Sequence, residues 1–290
     1  DCLCTAGIVA RRSGSLAYDD GGVSEALLST ELGLWIGSAS DIRNITRAEP
    51  DDDINYTVLA LTLLEECGAG FDVTDVARAW LRRLPAGATW TAERAAYATL
   101  LANMDDEFVN GDEPGFDITI CSKNAYNDWI GAQIRADLYG WVCPGRPALA
   151  AELSARDASL SHRGDGVHGA MFVAALAAAI PASRSLDVAV DHALEQIPAG
   201  SRAATAVSFG RGIVGRDDAV ERLHREYAGL PPVHTLNNLA LVVWALLSAE
   251  DDFSAAIGEE VWLRLGVMTV LAWLMMRALG QAVLRPPVAW

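Results

Sequence analysis

Basic residues are scarce in this 290-residue sequence. It contains 22 lysine and arginine residues against 38 aspartate and glutamate residues, which gives a formal net charge of -16 at pH 7. A surface of this sign repels phosphate backbones, so the composition argues against a nucleic acid as partner. An anionic ligand is still compatible with the charge if a metal ion lies between the ligand and the protein.

Long apolar runs are also missing. The longest uncharged run of the tail, Leu265–Met276, has 12 residues between two arginines, whereas a membrane-spanning helix needs about 20. We therefore predict that the tail, Val261–Leu284, is a buried terminal helix. The first ten residues have no basic start followed by an apolar run, which argues against a signal peptide. The five cysteines are odd in number and irregularly spaced, as is typical of reduced thiols in a cytoplasmic protein.

Several common catalytic motifs are absent. The sequence has no Gly-x-Ser-x-Gly turn of the kind that presents a nucleophilic serine, and no phosphate-binding loop with Gly-Lys-Ser/Thr. No Gly-x-Gly-x-x-Gly follows a predicted strand, and the five histidines form no His-x-x-x-His pair. These absences argue against serine hydrolases, nucleotide-binding folds of the common types and histidine-bound zinc.

What the sequence does contain is helical periodicity. Alanine and leucine recur throughout, and no segment alternates with the period of two that is typical of a strand. The sequence therefore predicts an all-α fold, a compact multi-helix bundle in a single domain over residues 1–290. Its alanine-rich segment is expected at the centre, because small side chains allow close packing on all sides. The predicted helices are Ile54–Cys67, Val73–Leu84, Thr91–Met104, Ala125–Tyr139 (interrupted by residues of functional type), Pro147–Leu160, Gly166–Ile180 (the central one), Leu186–Ile197, Ser201–Val214, Asp217–Tyr227, Thr235–Ser248 and Phe253–Leu284.

Three adjacent carboxylates, Asp51, Asp52 and Asp53, stand at the start of the first helix, with Asp53 at the expected N-cap. The helix dipole and the free N–H groups stabilise one of these carboxylates by about 0.3–1 kcal/mol. A hard divalent cation would stabilise all three more strongly, because Mg²⁺ prefers carboxylate oxygens. The alternative is a solvated acidic turn with one N-cap. Pro50, which stiffens the chain here, and the apolar helix that follows both favour the metal site.

The context of this triplet resembles a known family. Residues 49–59 (Glu-Pro-Asp-Asp-Asp-Ile-Asn-Tyr-Thr-Val-Leu) resemble the first metal motif of the ADP-ribosylglycohydrolases, in the form used by a subgroup with an aspartate triplet. Residues 124–137 resemble the central motif of that subgroup, residues 156–162 the Ser/Thr-His segment of the family, and residues 233–243 its late helix. The four segments occur in the family's order and spacing and together span about residues 40–258.

The resemblance implies a compact helical bundle that holds two metal ions, Mg²⁺ or Mn²⁺, above a cleft for ADP-ribose. Asp51, Asp52 and Asp53 would form the first half of the metal site, with Asp52 and Asp53 as catalytic residues. In the family the metals hold the terminal ribose diol and activate a water for attack at ribose C1. The implied substrate is an ADP-ribosylated protein or an ADP-ribosyl small molecule, and the implied state is a monomer.

The resemblance also places seven residues beside the substrate, and each has a structural alternative. His162 would lie near the ribose or the phosphates, or would be a helix-end histidine bonded to the main chain. Trp129 would stack on a ring of the substrate or fill the core. Arg135 and Asp137 would clamp phosphate and ribose, or pair with each other. Gly164-Asp165-Gly166 would let the main chain approach a ligand closely, or would form an ordinary turn.

The sequence departs from the family at both ends. The family's second metal motif, Gly-x-Asp-x-Asp followed by Thr or Cys, should come soon after Gly258, but no aspartate follows Asp252 and only Glu259 and Glu260 remain as acids. The glycine-rich opening helix of the family is also missing from residues 1–40. One bound Mg²⁺, or none, is then expected in place of two. The tail is either a natural divergence or the product of a shifted reading frame. A Gly-x-Asp-x-Asp pattern in another frame just after codon 258 would support the shift.

Three functions are therefore open at the level of sequence. The first is a metal-dependent hydrolase of an ADP-ribosyl or related ribosyl linkage. The second is a catalytically degenerate module that binds ADP-ribose or a nucleotide without turnover. The third is an inactive helical scaffold or fragment. The missing second motif favours the last two, and the four family segments favour the first.

Overall fold

A computed structural model describes residues 52–105 and 107–249 of the protein, apart from the side chain of Asp53. Asp51 and the predicted tail helix Phe253–Leu284 lie outside these residues. Within the described ranges the regular structure is helical and no strand is present, which confirms the all-α prediction. The helices are α1 (Asp52–Cys67), α2 (Val73–Arg83), α3 (Thr91–Asn103), α4 (Gly131–Ile134), α5 (Asp137–Trp141), α6 (Pro147–Ala158), α7 (Gly164–Ala179), α8 (Leu186–Leu194), α9 (Arg202–Gly212), α10 (Ala219–Glu226) and α11 (Thr235–Ser248).

Local chemistry accounts for the ends of α2. The Asp72 carboxylate accepts hydrogen bonds from the main-chain N–H groups of Thr74 (2.8 Å) and Asp75 (3.0 Å). Asp75 in turn accepts one from the Asp72 N–H (3.1 Å), so that the two aspartates satisfy the free donors at the helix start reciprocally. The helix ends at Arg83, since the residue before Pro85 is disfavoured in the helical region.

One local prediction is wrong, and a second holds in part. Helix α1 begins at Asp52, so Asp53 lies inside its first turn and not at the N-cap. The segment Ala125–Tyr139, predicted as helical but interrupted, is a turn-rich stretch over residues 124–130 followed by the two short helices α4 and α5. Its start is diverted because the side-chain oxygen of Asn124 accepts a hydrogen bond from the Tyr126 N–H (2.9 Å), a local arrangement that competes with helix formation.

Helix α7 lies at the centre, as its composition predicts. Helices α4, α5, α6 and α8 pack around it. Its alanines allow the close approach: a Cβ placed on Gly140 of α5 would lie 2.2 Å from the Ala177 Cβ and 2.6 Å from the Ala174 carbonyl oxygen. The alanines of the alanine-rich segment are buried, and they include Ala170, Ala174, Ala175, Ala177, Ala178 and Ala179.

Helix α7 and the 3₁₀ turn after it also have the length and composition of a membrane-crossing segment. Residues Gly164–Ala182 form the one such stretch among the described residues, and 67% of its most apolar window is buried inside the protein. The cover is supplied by the helices around it.

Helices α9 and α11 meet at a glycine, and this contact yields a stability prediction. A Cβ on Gly210 would lie 2.2 Å from the main-chain oxygen of Ala240, so Gly210→Ala must push the two helices apart. We expect this variant to lower the free energy of unfolding by about 1–3 kcal/mol, as overpacking of a core does. Urea unfolding followed by circular dichroism measures the change.

Gly212, two residues further along α9, provides the matched control. A Cβ there meets no atom within 4 Å. Gly212→Ala is therefore expected to leave the stability unchanged or to raise it by about 0.4–1 kcal/mol, because alanine restricts the unfolded chain. Equal losses in the two variants would show that the close contact does not set the cost.

Candidate functional site

Of the side chains of the acidic triplet, the structure describes that of Asp52. Asp52 is half-buried at the first position of α1. Asp51 and the side chain of Asp53 lie outside the described residues. Among the side chains that the structure does describe, no group of three or more histidine, cysteine, aspartate or glutamate residues is arranged to hold a metal ion. A metal site at the start of α1 would therefore need carboxylates of the triplet in addition to that of Asp52.

Behind α1 lies a buried ion network centred on Arg135, which is 2% exposed between α4 and α5. Its Nε donates to Asp157 Oδ1 of α6 (3.0 Å), and its Nη1 donates to Glu93 Oε1 of α3. The Tyr139 hydroxyl donates to the other oxygen of Asp157 (2.7 Å). Burial raises the pKa of Glu93, and the neighbouring guanidinium opposes that shift. The predicted pairing of Arg135 with Asp137 is not the one observed, because both of its carboxylate partners come from other helices.

His162 extends this network. The hydroxyl oxygen of Ser161 accepts a hydrogen bond from Arg135 Nη2 (2.9 Å) and lies 2.8 Å from His162 Nδ1. The Ser161 hydroxyl therefore links the Arg135 guanidinium to the His162 ring. Burial, followed by the charge of Arg135, holds the pKa of His162 well below its usual range, with the Trp129 main chain opposing. His162 is 1% exposed and lies in the core as a neutral ring.

The segment 124–130, which we call the site loop, is tied down by main-chain and side-chain hydrogen bonds. They join it to the end of α6, the start of α7 and the start of α11. The bonds are Asn124 Nδ2 to Ser161 O (2.9 Å), Arg163 N to Asn127 O (3.2 Å), Thr235 N to Asp128 O (2.9 Å), Thr235 Oγ1 to Trp129 O (3.1 Å) and Ile130 N to Val233 O (2.9 Å). The site loop therefore has a defined position, although it has no regular secondary structure of its own.

Charged residues meet where the site loop crosses the start of α7. Arg202 of α9 donates through Nε to Asp165 Oδ2 (2.6 Å), and its Nη2 lies 3.6 Å from Asp128 Oδ2. Asp165 is buried, whereas the side chain of Arg202 is 63% exposed. His234, the N-cap of α11, lies beside them, and burial followed by the charge of Arg202 lowers its pKa while the two aspartates oppose. The Arg202 guanidinium is therefore accessible from the surface and lies beside the carboxylates of Asp165 and Asp128.

The glycine and aromatic residues of the site have distinct surroundings. A Cβ on Gly166 would lie 2.2 Å from the carbonyl oxygen of Asn127 and 2.9 Å from His162 Cδ2. The site loop therefore occupies the space that a side chain at position 166 would need. Gly164 is exposed and has φ +47°. Trp129 is half-buried, with the exposed Tyr126 ring packed edge-on against it at a centroid distance of 4.8 Å. One aromatic surface and one glycine are therefore accessible next to Arg202.

Asp137 stands apart from this cluster. It is 4% exposed at the start of α5, and its Oδ1 accepts a hydrogen bond from the Leu138 N–H (2.7 Å). No basic side chain pairs with it among the described residues. Burial raises its pKa to about 7, with the main-chain N–H groups of Leu138 and of Asp137 itself opposing.

The raised pKa of Asp137 yields a prediction on pH dependence. In the unfolded chain an aspartate has a pKa of about 3.9, so between about pH 4 and pH 7 the folded state holds a proton that the unfolded state has lost. Stability should therefore fall as the pH rises through this range, by roughly 4 kcal/mol from this group. Asp137→Asn should match the wild type near pH 4 and be more stable at about pH 8, as urea unfolding at the two values measures. A difference between the proteins that is independent of pH would contradict the assignment.

Gln133 has unusual surroundings that no sequence pattern signalled. It is 2% exposed, and neither its amide nitrogen nor its carbonyl oxygen has a hydrogen-bond partner among the residues that the structure describes. Its Oε1 lies 3.4 Å from the position of a Cβ on Gly169, where α7 meets Thr235 of α11. Buried amides are normally paired, so Gln133 joins the candidate ligand-binding residues.

The sequence profile of one protein family, ADP-ribosylglycohydrolase, matches residues 12–264 of the chain. This chain belongs to the ADP-ribosylglycohydrolase family. The match confirms the resemblance drawn from the four segments and extends beyond their span at both ends. No curated protein and no solved structure matches the sequence.

In this ADP-ribosylglycohydrolase the seven predicted substrate residues fall into two groups. Three are buried below the site: Arg135 in the ion network, His162 beside it and Asp137 at the start of α5. The other four adjoin the site loop at the start of α7, and they are Trp129, Gly164, Asp165 and Gly166. Within the second group, Trp129 and Gly164 are the residues that a ligand at the surface can approach, because Asp165 and Gly166 are buried.

Sequence reasoning missed several residues of the buried ion network and of the surroundings of the site loop. The missed residues are Glu93, Asp128, Gln133, Tyr139, Asp157, Ser161 and Arg202. Two of them carried a signal, because Glu93 and Asp157 are acids at positions that otherwise belong to the buried stripes of α3 and α6. A buried acid on an apolar stripe needs a cation as its partner, and Arg135 is the cation that pairs with both acids.

Proposed function

We propose that this member of the family hydrolyses the bond between ribose C1 and a leaving group of an ADP-ribosyl compound, with a divalent cation held by Asp51, Asp52 and Asp53. The observation that carries the proposal is the family match over residues 12–264, which includes the acidic triplet and all four family segments. ADP-ribosylglycohydrolases act on ADP-ribosyl compounds. The bound cation, the cleaved bond at ribose C1 and the leaving group go beyond the family match and form our proposal.

The donor set fits a hard cation. Three carboxylates at one helix start offer the oxygen ligands that Mg²⁺ prefers, and Asp52 is half-buried, which limits competition from bulk water. When bound, a divalent cation would supply a water of lowered pKa and would neutralise charge on the departing group. The chain's own contribution is a run of three adjacent carboxylates at residues 51–53.

The residues around the site loop would bind the rest of the substrate. Arg202 is exposed and positively charged, which suits a diphosphate in a protein of net charge -16. The half-buried Trp129 and its neighbour Tyr126 offer aromatic surface to a base or a sugar. Arg135 and His162 would act indirectly, by fixing the ends of α6 and α7 against which the site loop is bonded.

Release of ADP-ribose from defined conjugates tests the proposal. The purified chain is incubated with serine-linked, arginine-linked and small-molecule-linked ADP-ribose, each with Mg²⁺ and with EDTA. We expect release from at least one conjugate in Mg²⁺ and none in EDTA. Release that is unaffected by EDTA would remove the cation from the proposal and leave the hydrolysis, whereas no release from any conjugate would overturn the hydrolase.

A second function is favoured by one observation, the lack of any aspartate after Asp252 where the family has its second metal motif. A protein that keeps the cleft without a complete metal site would bind ADP-ribose without turnover. Calorimetry would then detect ADP-ribose binding that EDTA does not change. A chain that neither binds nor hydrolyses would be the inactive scaffold.

A further inference from the structure

The hydroxyl group of Tyr56 is buried and has no hydrogen-bond partner within residues 52–105 and 107–249. Tyr56 lies on α1, is 2% exposed, and its ring stacks on Trp80 at a centroid distance of 6.4 Å, with the Arg135 guanidinium 5.6 Å away. The other two buried tyrosines of the described residues are both satisfied. Tyr97 donates to the main-chain oxygens of Trp80 (3.3 Å) and Leu84 (3.1 Å), and Tyr139 donates to Asp157.

An unpaired buried hydroxyl needs an explanation, because phenylalanine would supply the same ring without the cost of desolvating an O–H group. The packing against Trp80 and Arg135 uses the ring alone. The hydroxyl is therefore placed for an interaction that none of the described residues supplies.

Three carboxylates influence the Tyr56 hydroxyl. Burial and then the charge of Glu93 raise its pKa, and the charges of Asp52 and Asp157 add to the effect, while Arg135 opposes it. The phenol therefore stays protonated and acts as a donor. Glu93 and Asp157 are both bonded to Arg135. Asp52 lies four residues before Tyr56, a spacing that places both side chains on one face of α1.

We propose that Tyr56 is a positioning residue for the metal site, whose hydroxyl donates a hydrogen bond to the Asp52 carboxylate when that carboxylate holds a divalent cation. The inference rests on the proposed function, since it needs the acidic triplet to bind a cation. Carboxylates that ligate a metal are themselves held by hydrogen bonds from a surrounding layer of residues, and these orient the ligand oxygens. Tyr56 also touches the Arg135 network, so it links the metal site on α1 to the core.

Tyr56→Phe tests the proposal by metal affinity, with Mn²⁺ as the probe. Electron paramagnetic resonance of the free ion gives the Mn²⁺ dissociation constant of the full chain, and urea unfolding in EDTA gives the stability without metal. We expect the dissociation constant of Tyr56→Phe to rise about 10–100-fold. Its stability in EDTA should equal or exceed that of the wild type, because the variant loses an unpaired hydroxyl.

Tyr139→Phe is the matched control, since it removes a paired hydroxyl from the same core. It should lower the stability in EDTA and leave the Mn²⁺ dissociation constant unchanged. An unchanged Mn²⁺ affinity in Tyr56→Phe, or a loss of stability in EDTA like that of Tyr139→Phe, would overturn the role of Tyr56 alone. A wild type that binds no Mn²⁺ would overturn the proposed cation and, with it, the inference.

Discussion

Replacing Arg135 with methionine is expected to lower the free energy of unfolding by about 3–5 kcal/mol, the usual cost of breaking a buried ion pair from one side. The variant leaves the carboxylates of Glu93 and Asp157 in the core without their cation, at 2% and 6% exposure. It also removes the hydrogen-bond donor to Ser161, whose hydroxyl contacts the His162 ring. Such a loss is a large part of the 5–15 kcal/mol by which domains are commonly stable, so the soluble yield should fall as well.

Arg216→Met is the matched control for this change. Arg216 pairs only with Asp218, and both side chains are nearly half exposed. An exposed pair contributes about 0–1 kcal/mol, so the control should lose little. Adding Glu93→Gln to Arg135→Met should cost less than the sum of the two single variants, since it removes one of the stranded charges. A loss at Arg135 no larger than that at Arg216 would refute the structural role of the network.

Replacing Asp52 or Asp53 with asparagine is expected to reduce ADP-ribose release by about 100-fold or more, because even residues outside the ligand shell affect metal sites by about 10–100-fold. Each variant keeps the size of the side chain and removes one of the negative charges that would bind the cation. Folding should be affected little. The loss of a carboxylate near the helix start costs about 0.3–1 kcal/mol, and relief of repulsion among the three acids offsets it. Conjugate hydrolysis in Mg²⁺ and urea unfolding in EDTA measure the two effects separately.

Asp72→Asn makes the same chemical change at the start of the next helix. Asparagine is as good an N-cap as aspartate, so α2 should keep its stability, and activity should remain at the wild-type level. Full activity in both Asp52→Asn and Asp53→Asn would show that the triplet is only a solvated helix start. Loss of activity in all three variants would point to a general effect of charge rather than to a metal site.

Local signals predicted most of the fold. Helix α2 is bounded by Asp72 and Pro85, which act on their immediate neighbours, and α7 is central because of its own alanines. The segment 125–139 was predicted as helical with interruptions, but the length of its turn-rich start was not predicted. Its first half follows the hydrogen bonds of the site loop to α6, α7 and α11 instead, and those partners lie far away in the sequence.

The candidate site divides in the same way. Trp129, which lies in the central family motif, and Gly164-Asp165-Gly166, which follow the Ser/Thr-His segment, were predicted beside the substrate, and the structure brings them together at the site loop. The partners of Arg135 were not predictable, since Glu93 lies 42 and Asp157 22 residues away along the chain. The pairing of Arg202 with Asp165 spans 37 residues and has no local pattern either.

The sequence alone was sufficient for the all-α class, for the central position of α7 and for membership of the ADP-ribosylglycohydrolase family, because periodicity, capping and family segments are properties of short stretches of chain. Only the tertiary structure decided which carboxylates neutralise Arg135, why His162 is a neutral core residue and which buried tyrosine hydroxyl has no partner in the described part of the chain. Burial and ion pairing depend on distances of a few ångströms between residues far apart in sequence, and the packing of the helices around α7 sets those distances.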